Sequence, residues 1–153
     1  MVIDIERMDW DTYFFEILEV IKQRSGCLRR KVSALIVSDK RILATGYNAS
    51  PVGVIDCINR GCCLREKAKQ GECLDNCMAV HAEMNAILQC ARYGINTNGA
   101  TIYVNTFPCV NCMKAIINAS IKEIVYLEDY KNTELSKQLA EESGIKIRKY
   151  LIN

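Results

Sequence analysis

Long apolar runs are missing from this sequence, and no stretch approaches the ~20 residues that a membrane-spanning helix needs. The first ten residues contain Asp4, Glu6 and Asp9 and lack the apolar centre of a signal peptide. The formal net charge is only +2, so overall electrostatics do not favour a nucleic-acid partner. We therefore expect a soluble, cytoplasmic protein whose partners are neither membranes nor nucleic acids.

Internal repeats, linkers and low-complexity tracts are absent as well. The 153 residues are 50% hydrophobic and 25% charged, which suffices to bury a core. Residues 1–153 are therefore predicted to form a single domain. The cysteines number nine, an odd count in a chain expected to be cytoplasmic, which favours metal ligands or free thiols over a disulfide framework.

Hydrophobic periodicity predicts an alternation of helices and strands. The first helix begins behind Asp9 and extends to about residue 24, and a hairpin over 31–38 and 41–47 turns at Asp39 and Lys40. The later predicted elements are a helix over 79–93 ended by Gly94, a strand over 101–105, a helix over 108–119 with Pro108 in its first turn, a strand over 123–127, a helix from the cap Asn132 to Ser143 ended by Gly144, and a strand over 145–150. This order indicates an α/β layered domain.

The segment 48–78 departs from this pattern. It has no sustained periodicity and holds five of the nine cysteines. An irregular segment of that length in a compact domain is usually functional or needs something to hold it. We call it the insert.

Two short motifs carry the chemistry: His81-Ala82-Glu83 and, further on, Pro108–Cys112 (PCVNC). Cys109 and Cys112 are three residues apart, so both sulfurs point to one side of a first helical turn, where the positive helix end favours thiolates. A lone P-C-x-x-C fits a structural zinc site or a redox pair equally well, and a lone H-x-E is uninformative. Both motifs in this order, each at a predicted helix start, are typical of zinc-dependent nucleobase deaminases.

One imidazole and two thiolates leave a tetrahedral zinc with an open fourth position, which is the pattern of a catalytic site. Such an ion lowers the pKa of a bound water to roughly 7. Glu83 follows His81 by two residues, so it can lie beside the metal without binding it. We therefore predict that His81, Cys109 and Cys112 bind a catalytic zinc and that Glu83 transfers protons.

Four segments of the chain carry a family resemblance: Cys27–Val32 (CLRRKV), Thr45–Pro51 (TGYNASP), His81–Ile87 (HAEMNAI) and Pro108–Cys112 (PCVNC). They resemble the deoxycytidylate (dCMP) deaminase family, within the cytidine deaminase-like superfamily, and the similarity extends from about Tyr13 to Tyr150. The resemblance implies a three-layer α/β/α sandwich around a mixed sheet of roughly five strands. It also implies hydrolytic deamination of dCMP to dUMP and ammonia, which supplies dUMP for thymidylate synthesis.

The resemblance further implies four substrate contacts. Asn48 corresponds to an asparagine that holds the sugar and base, Arg29 to a phosphate contact, and Tyr130 to a tyrosine on the substrate side. The backbone amide of Ala82 is the expected partner of the base carbonyl. From the residues alone, Asn48 also fits a turn, Arg29 a solvated basic triplet, and Tyr130 an exposed loop.

A second, structural zinc is predicted in the insert. Ordering such a loop costs conformational entropy, which four thiolates around a tetrahedral zinc would offset. The resemblance implies four ligands: Cys27, Cys57, Cys63 and Cys77. Cys62 beside Cys63, or Cys73 near Cys77, fits the third or fourth place as well, and the alternative is free or buried thiols without a metal. Cys90, in the middle of a predicted helix, is expected in the core.

The zinc motif does not separate dCMP from cytosine, cytidine, guanine or an adenosine in tRNA as substrate. The insert and the CLRRKV segment favour a nucleotide, and the modest net charge argues against a polynucleotide. Ser33 and Ala49 stand where family members commonly have glycine, which concerns substrate fit rather than the metal. A remote alternative is an inactive, zinc-stabilised interaction protein, against which the presence of Glu83 argues. The resemblance also implies a homohexamer with dCTP and dTTP as effectors, the triphosphate being accompanied by Mg²⁺.

Overall fold

The computed structural model describes residues 6–70, 72–131 and 133–152. Residues 1–5 lie outside these ranges; they are half of the ten-residue segment for which the sequence predicts no signal peptide. Asn132, the predicted cap of the last helix, lies outside them too. Helix α1 spans Trp10–Ile21 and begins at Asp9, whose carboxylate accepts a hydrogen bond from the Thr12 amide (3.0 Å). A 3-10 turn over Lys22–Arg24 extends it to the predicted end.

The predicted hairpin follows as strands β1 (Ser33–Ser38) and β2 (Arg41–Tyr47). Asp39 and Lys40 have φ of 48° and 61°, the left-handed backbone that a two-residue hairpin turn requires. Ser38 and Arg41, on either side of this turn, are paired in the sheet. The hairpin therefore turns at the two predicted residues.

Three further strands complete a five-stranded sheet: β3 (Thr101–Thr106), β4 (Glu123–Glu128) and β5 (Lys146–Lys149). The strand order is β2-β1-β3-β4-β5. Strand β1 is antiparallel to both of its neighbours, whereas β3, β4 and β5 are mutually parallel. The sheet is therefore mixed, as predicted.

Helices cover both faces of this sheet. The remaining helices are α2 (Cys57–Arg60), α3 (Ala82–Tyr93), α4 (Val110–Asn118) and α5 (Glu134–Ser143). Phe14 and Leu18 of α1 pack on Leu35, which points to one face. The next residue, Ile36, points to the other face and packs in a second cluster that includes side chains of α3, α4 and α5, among them buried Cys90. This confirms the three-layer α/β/α arrangement.

Helices α3 and α4 start three and two residues later than predicted. Val80 still pairs with Ala49 in an isolated β-bridge, so α3 begins only after it, and Gly94 ends the helix with φ 65° as predicted. The predicted place of Pro108 in the first turn of α4 is wrong. The amide of Phe107 still bonds to the carbonyl of Glu128 (2.8 Å), so the extended backbone continues through Pro108 and the helix starts beyond it.

The insert contains one short helix that periodicity did not predict. The Asp56 carboxylate caps α2 by accepting from the Asn59 amide (2.9 Å), and Gly61 ends it with φ 74°. A 3-10 turn over Leu74–Asn76 precedes Cys77. Across the part of the chain that the structure describes, no helix has the length and hydropathy of a membrane span.

Candidate active site

The three predicted ligands of the catalytic metal meet where α3 and α4 begin. The Nδ1 atom of His81 lies 3.4 Å from Cys109 Sγ and 3.5 Å from Cys112 Sγ. Among the described residues this is the only group of three or more His, Cys, Asp or Glu ligand atoms within 4.8 Å of one another. His81 and Cys109 are N-cap residues with extended backbone, and neither side chain caps its helix. Both are therefore free to face a metal.

The spacing of these atoms fits a tetrahedral zinc. With zinc–nitrogen and zinc–sulfur bonds of about 2.1 and 2.3 Å, tetrahedral angles separate nitrogen from sulfur by about 3.6 Å. The observed separations of 3.4 and 3.5 Å are close to that value. Two thiols and an imidazole are also ligands that bind zinc in preference to hard cations such as Mg²⁺.

The protonation states of the three ligands are linked by these contacts. Hydrogen bonding with Cys112, followed by that with His81, lowers the pKa of Cys109 to about 4. The same contact with Cys109, together with burial, raises the pKa of Cys112. Cys109 in turn raises the pKa of His81 to about 9. The two sulfurs share a negative charge, which favours the binding of a cation in place of the protons on these ligands.

Glu83 lies in the first turn of α3 and is only 4% exposed. Burial raises the pKa of its carboxyl, and the nearby His81 opposes that shift. The side chain borders the same cavity as His81 and Cys109. A carboxyl in this position is shielded from bulk water and can exchange protons with a molecule in the cavity.

Two contacts fix the start of α3 against strand β2. The backbone of Gly46 approaches the helix so closely that a Cβ there would lie 2.1 Å from the Ala82 carbonyl oxygen and 2.7 Å from the Ala86 nitrogen. One turn into the helix, Asn85 Nδ2 donates to the carbonyl oxygen of Tyr47 (2.7 Å). The sequence around Gly46 therefore sets the position of the residues that open α3.

The predicted substrate contacts border the cavity in front of the metal ligands: Arg29, Asn48, Ala82 and Tyr130. Asn48 is held by its surroundings, because its Oδ1 accepts from Ser25 Oγ (2.5 Å) and from the Val32 amide (2.9 Å). Its Nδ2 donates to the Arg30 carbonyl (2.8 Å). One amide hydrogen of Asn48 is left for a ligand.

Arginine side chains give one part of the cavity wall a positive charge. Arg29 donates to the backbone carbonyls of Arg65 and Ala68, the latter at 2.7 Å, and so ties the insert to the rest of the domain. Arg30 pairs with Glu128 at 2.5 Å. Arg65 also borders the cavity. This wall favours an anionic group on whatever binds there.

Tyr130 is half-buried beside the metal ligands. Burial, and then the negative charge at Cys109, raise the pKa of its phenol. The guanidinium of Arg30 lies over its ring, 5.8 Å from the centroid. Tyr130 is thus a half-buried part of the cavity wall rather than the exposed loop residue that the sequence alone also allowed.

The four cysteines predicted for the second metal all border this cavity, in contrast to Cys62 and Cys73, which are exposed. Burial, and then the neighbouring thiols of Cys63, Cys27 and Cys77, raise the pKa of Cys57. No three of these sulfurs lie within 4.8 Å of one another, so the group is looser than the one at His81.

Some polar residues beside the cavity carry no motif and were missed in the sequence. Asn105 is buried at the end of β3, where its Oδ1 accepts from the Ser33 amide (2.9 Å) and its Nδ2 donates to the Lys31 carbonyl (3.2 Å). Thr106 follows it and borders the cavity. The available signal was a pair of polar residues that closes a strand with an apolar centre.

Comparison with protein families gives one match over most of the chain. The family model described as the cytidine and deoxycytidylate deaminase zinc-binding region matches residues 8–128. ComE operon protein 2 of Bacillus subtilis is 42% identical over 144 residues, which cover 94% of this chain and 72% of that protein. The deoxycytidylate deaminase of Schizosaccharomyces pombe is 36% identical over 146 residues, which cover 95% of this chain and 45% of that protein. The chain thus spans about half the length of the yeast relative.

A solved structure is similar over its whole length. The dCMP deaminase of the cyanophage S-TIM5, in complex with dCMP and dUMP, has a TM-score of 0.79 and 27% identity to this chain. The match covers 95% of this chain and 99% of that one. Both molecules therefore share the mixed sheet and its covering helices.

Proposed function

This chain belongs to the cytidine and deoxycytidylate deaminase family, and from that membership we propose that it hydrolyses dCMP to dUMP and ammonia with zinc as cofactor. The observation that carries the proposal is the meeting of one imidazole nitrogen and two sulfurs beside a buried carboxyl. The S-TIM5 dCMP deaminase, which binds dCMP and dUMP, supports the choice of substrate.

His81, Cys109 and Cys112 would hold the zinc, which would supply a water acidic enough to attack at neutral pH. Glu83 takes one proton from the attacking water and passes it to the ring nitrogen next to the reacting carbon. It then delivers the second proton to the departing amino group, so the carbon–nitrogen bond breaks and ammonia leaves. Because Glu83 is buried, a proton that it carries is not lost to bulk solvent.

The charge of the cavity wall supports a nucleotide rather than a nucleoside or a free base. Arg29 and Arg65 border the same cavity as Glu83, and a 5′-phosphate would balance their charge. Arg30 borders it too, but Glu128 already offsets its charge. The Arg29 guanidinium already donates two hydrogen bonds to carbonyls of the insert, so it contributes to phosphate binding through its remaining N–H groups and its charge. The free amide hydrogen of Asn48 and the first-turn amide of Ala82 are assigned to the sugar and base, and Tyr130 to the substrate side of the wall.

The insert is assigned a second zinc, bound by Cys27, Cys57, Cys63 and Cys77. Their common place at the cavity wall and the mutual effect of their thiols on Cys57 support this set over one containing Cys62 or Cys73. The sulfurs would move closer together around the ion. A hexamer, and dCTP and dTTP as effectors with Mg²⁺, stay predictions from the family.

The test is steady-state turnover of the purified, zinc-loaded protein on dCMP, deoxycytidine, cytidine, cytosine, guanine and an adenosine-containing tRNA anticodon stem. We expect kcat/KM for dCMP to exceed that for deoxycytidine by at least about 100-fold, because the charge-assisted phosphate contacts are worth about 1.5–3 kcal/mol each. Equal or better turnover of the unphosphorylated nucleosides would overturn the nucleotide assignment. Absence of turnover on every substrate, with zinc bound, would leave the interaction-protein alternative.

A further inference from the structure

Thr106 closes strand β3 with a hydroxyl that has no partner. The residue is 4% exposed, and among the described residues its Oγ1 is the one buried side-chain nitrogen or oxygen that makes no hydrogen bond. The neighbouring Asn105 is also buried, but both its side-chain oxygen and its side-chain nitrogen make hydrogen bonds. A buried hydroxyl is normally paired, so the partner of Thr106 has to come from outside the chain.

The direction of the strand places this hydroxyl at the active site. Side chains alternate along β3, and Ile102 and Val104 both belong to the cluster that includes α3 and α4. Thr106 is the next residue on that face, at the end of the strand where both helices begin. It borders the cavity together with Glu83 and Cys109, only three residues before the latter.

We propose that Thr106 Oγ1 hydrogen-bonds to the pyrimidine base of the bound nucleotide, an inference that rests on the function proposed above. The reacting carbon of the base has to lie beside Glu83 and the metal ligands, and Thr106 borders the same cavity as Glu83 and Cys109. A hydroxyl both donates and accepts. It can therefore accept from the amino group of dCMP and donate to the carbonyl that replaces it in dUMP. Arg29 and Arg65, by contrast, are assigned to the phosphate.

The structure also predicts that this hydroxyl is unfavourable for the free protein. Valine has the same shape as threonine and needs no partner. Thr106→Val should therefore keep or raise the melting temperature, since it removes an unsatisfied buried group. A side chain that merely supported the fold would show the opposite sign. Specificity, rather than stability, is then the reason for a threonine here.

The experiment compares Thr106→Val and Thr106→Ser with Thr101→Val, the matched control. Thr101 starts the same strand, and its hydroxyl contacts Glu123 (3.3 Å) away from the cavity. We expect Thr106→Val to raise the KM for dCMP and the inhibition constant of dUMP about 3- to 10-fold, at unchanged zinc content. Inhibition by deoxyribose 5-phosphate, which lacks the base, should not change. Thr106→Ser should stay within about twofold of wild type, and Thr101→Val should leave every one of these constants unchanged.

Wild-type KM and dUMP inhibition in Thr106→Val would overturn the base contact while leaving the proposed function intact. A lower melting temperature with equal weakening of dUMP and deoxyribose 5-phosphate would overturn it too, because that pattern marks a structural role. If zinc-loaded wild type neither turns over dCMP nor binds dUMP, the proposed function fails and the base contact fails with it. The wild-type measurement thus separates the two failures.

Discussion

The close approach of strand β2 to helix α3 leaves no room for a side chain at Gly46. In Gly46→Ala the new Cβ would lie 2.1 Å from the Ala82 carbonyl oxygen. Ordinary contact begins near 3.4 Å, so the helix start has to retreat by about 1.3 Å. This oxygen and the Ala86 nitrogen, 2.7 Å from the new Cβ, are both backbone atoms, which cannot rotate away as a side chain could. Overpacking of this kind costs about 1–3 kcal/mol of stability.

The functional cost of Gly46→Ala should exceed the stability cost. Ala82 lies between His81 and Glu83, and a misplacement of about 1 Å at reacting groups lowers rates by about 100-fold. We therefore expect a folded variant with reduced zinc content and at least that loss in kcat/KM for dCMP. The assays are urea unfolding, metal analysis and dUMP formation.

A matched control for Gly46→Ala is Gly144→Ala at the end of α5, where an added Cβ meets no atom within 4 Å. Its φ of 73° makes alanine cost about 1 kcal/mol, but zinc and activity should stay normal. A Gly46→Ala protein with full zinc and a kcat/KM within about threefold of wild type would refute the reasoning, because the helix start would then not depend on this contact.

Three further predictions concern other parts of the molecule. Glu83→Gln should retain zinc and lose about 10²–10⁴ in kcat, since a positioned proton-transfer group contributes that much; near-normal turnover would exclude Glu83 as the proton carrier. Cys57→Ser should remove one of two zincs per chain by metal analysis, whereas Cys62→Ser, at an exposed position, should keep both; one zinc in wild type would remove the insert site. Hydrogen bonding from Arg148 lowers the pKa of Asp11 below its usual value. The stabilisation from this pair is therefore present above the ordinary carboxyl pKa and is lost as the pH falls through the lower folded value. Asp11→Asn should therefore flatten the loss of stability below about pH 4, by less than about 1 kcal/mol because the pair is partly exposed. Urea unfolding followed from neutral to acidic pH measures this, and parallel wild-type and variant curves would contradict it.

The features that could be predicted from the sequence are those whose signals are local. Gly94 and Gly144 end helices in the left-handed conformation, as predicted. His81 and Cys109 lie at helix starts, as predicted, although both helices begin two or three residues later than expected. That His81 meets Cys109 and Cys112 was predicted from the order of the two motifs and not from hydrophobic periodicity. Pro108 was misplaced because β-pairing of the preceding residue, a long-range contact, keeps the chain extended.

Features that depend on distant partners were beyond the sequence. Helix α2 has both of its local signals, Asp56 and Gly61, but four residues are too few to show a period. Arg29 was found as a basic residue, whereas its bonds to carbonyls 36 and 39 residues away could not be. The isolation of the Thr106 hydroxyl is a property of everything around it, so only the folded structure reveals it.

The helix starts show how the site is built at the expense of local stability. Helices α1 and α2 begin at aspartates that cap them, whereas α3, α4 and α5 begin at residues that make no side-chain capping bond. In α3 and α4 those residues are His81 and Cys109. A capping side chain at such a position is worth about 1 kcal/mol. Both helices thus forgo that stabilisation, and burial of Glu83 adds to the cost. Since a zinc ion would tie the two uncapped ends to each other, metal binding and the stability of this half of the fold have to be coupled.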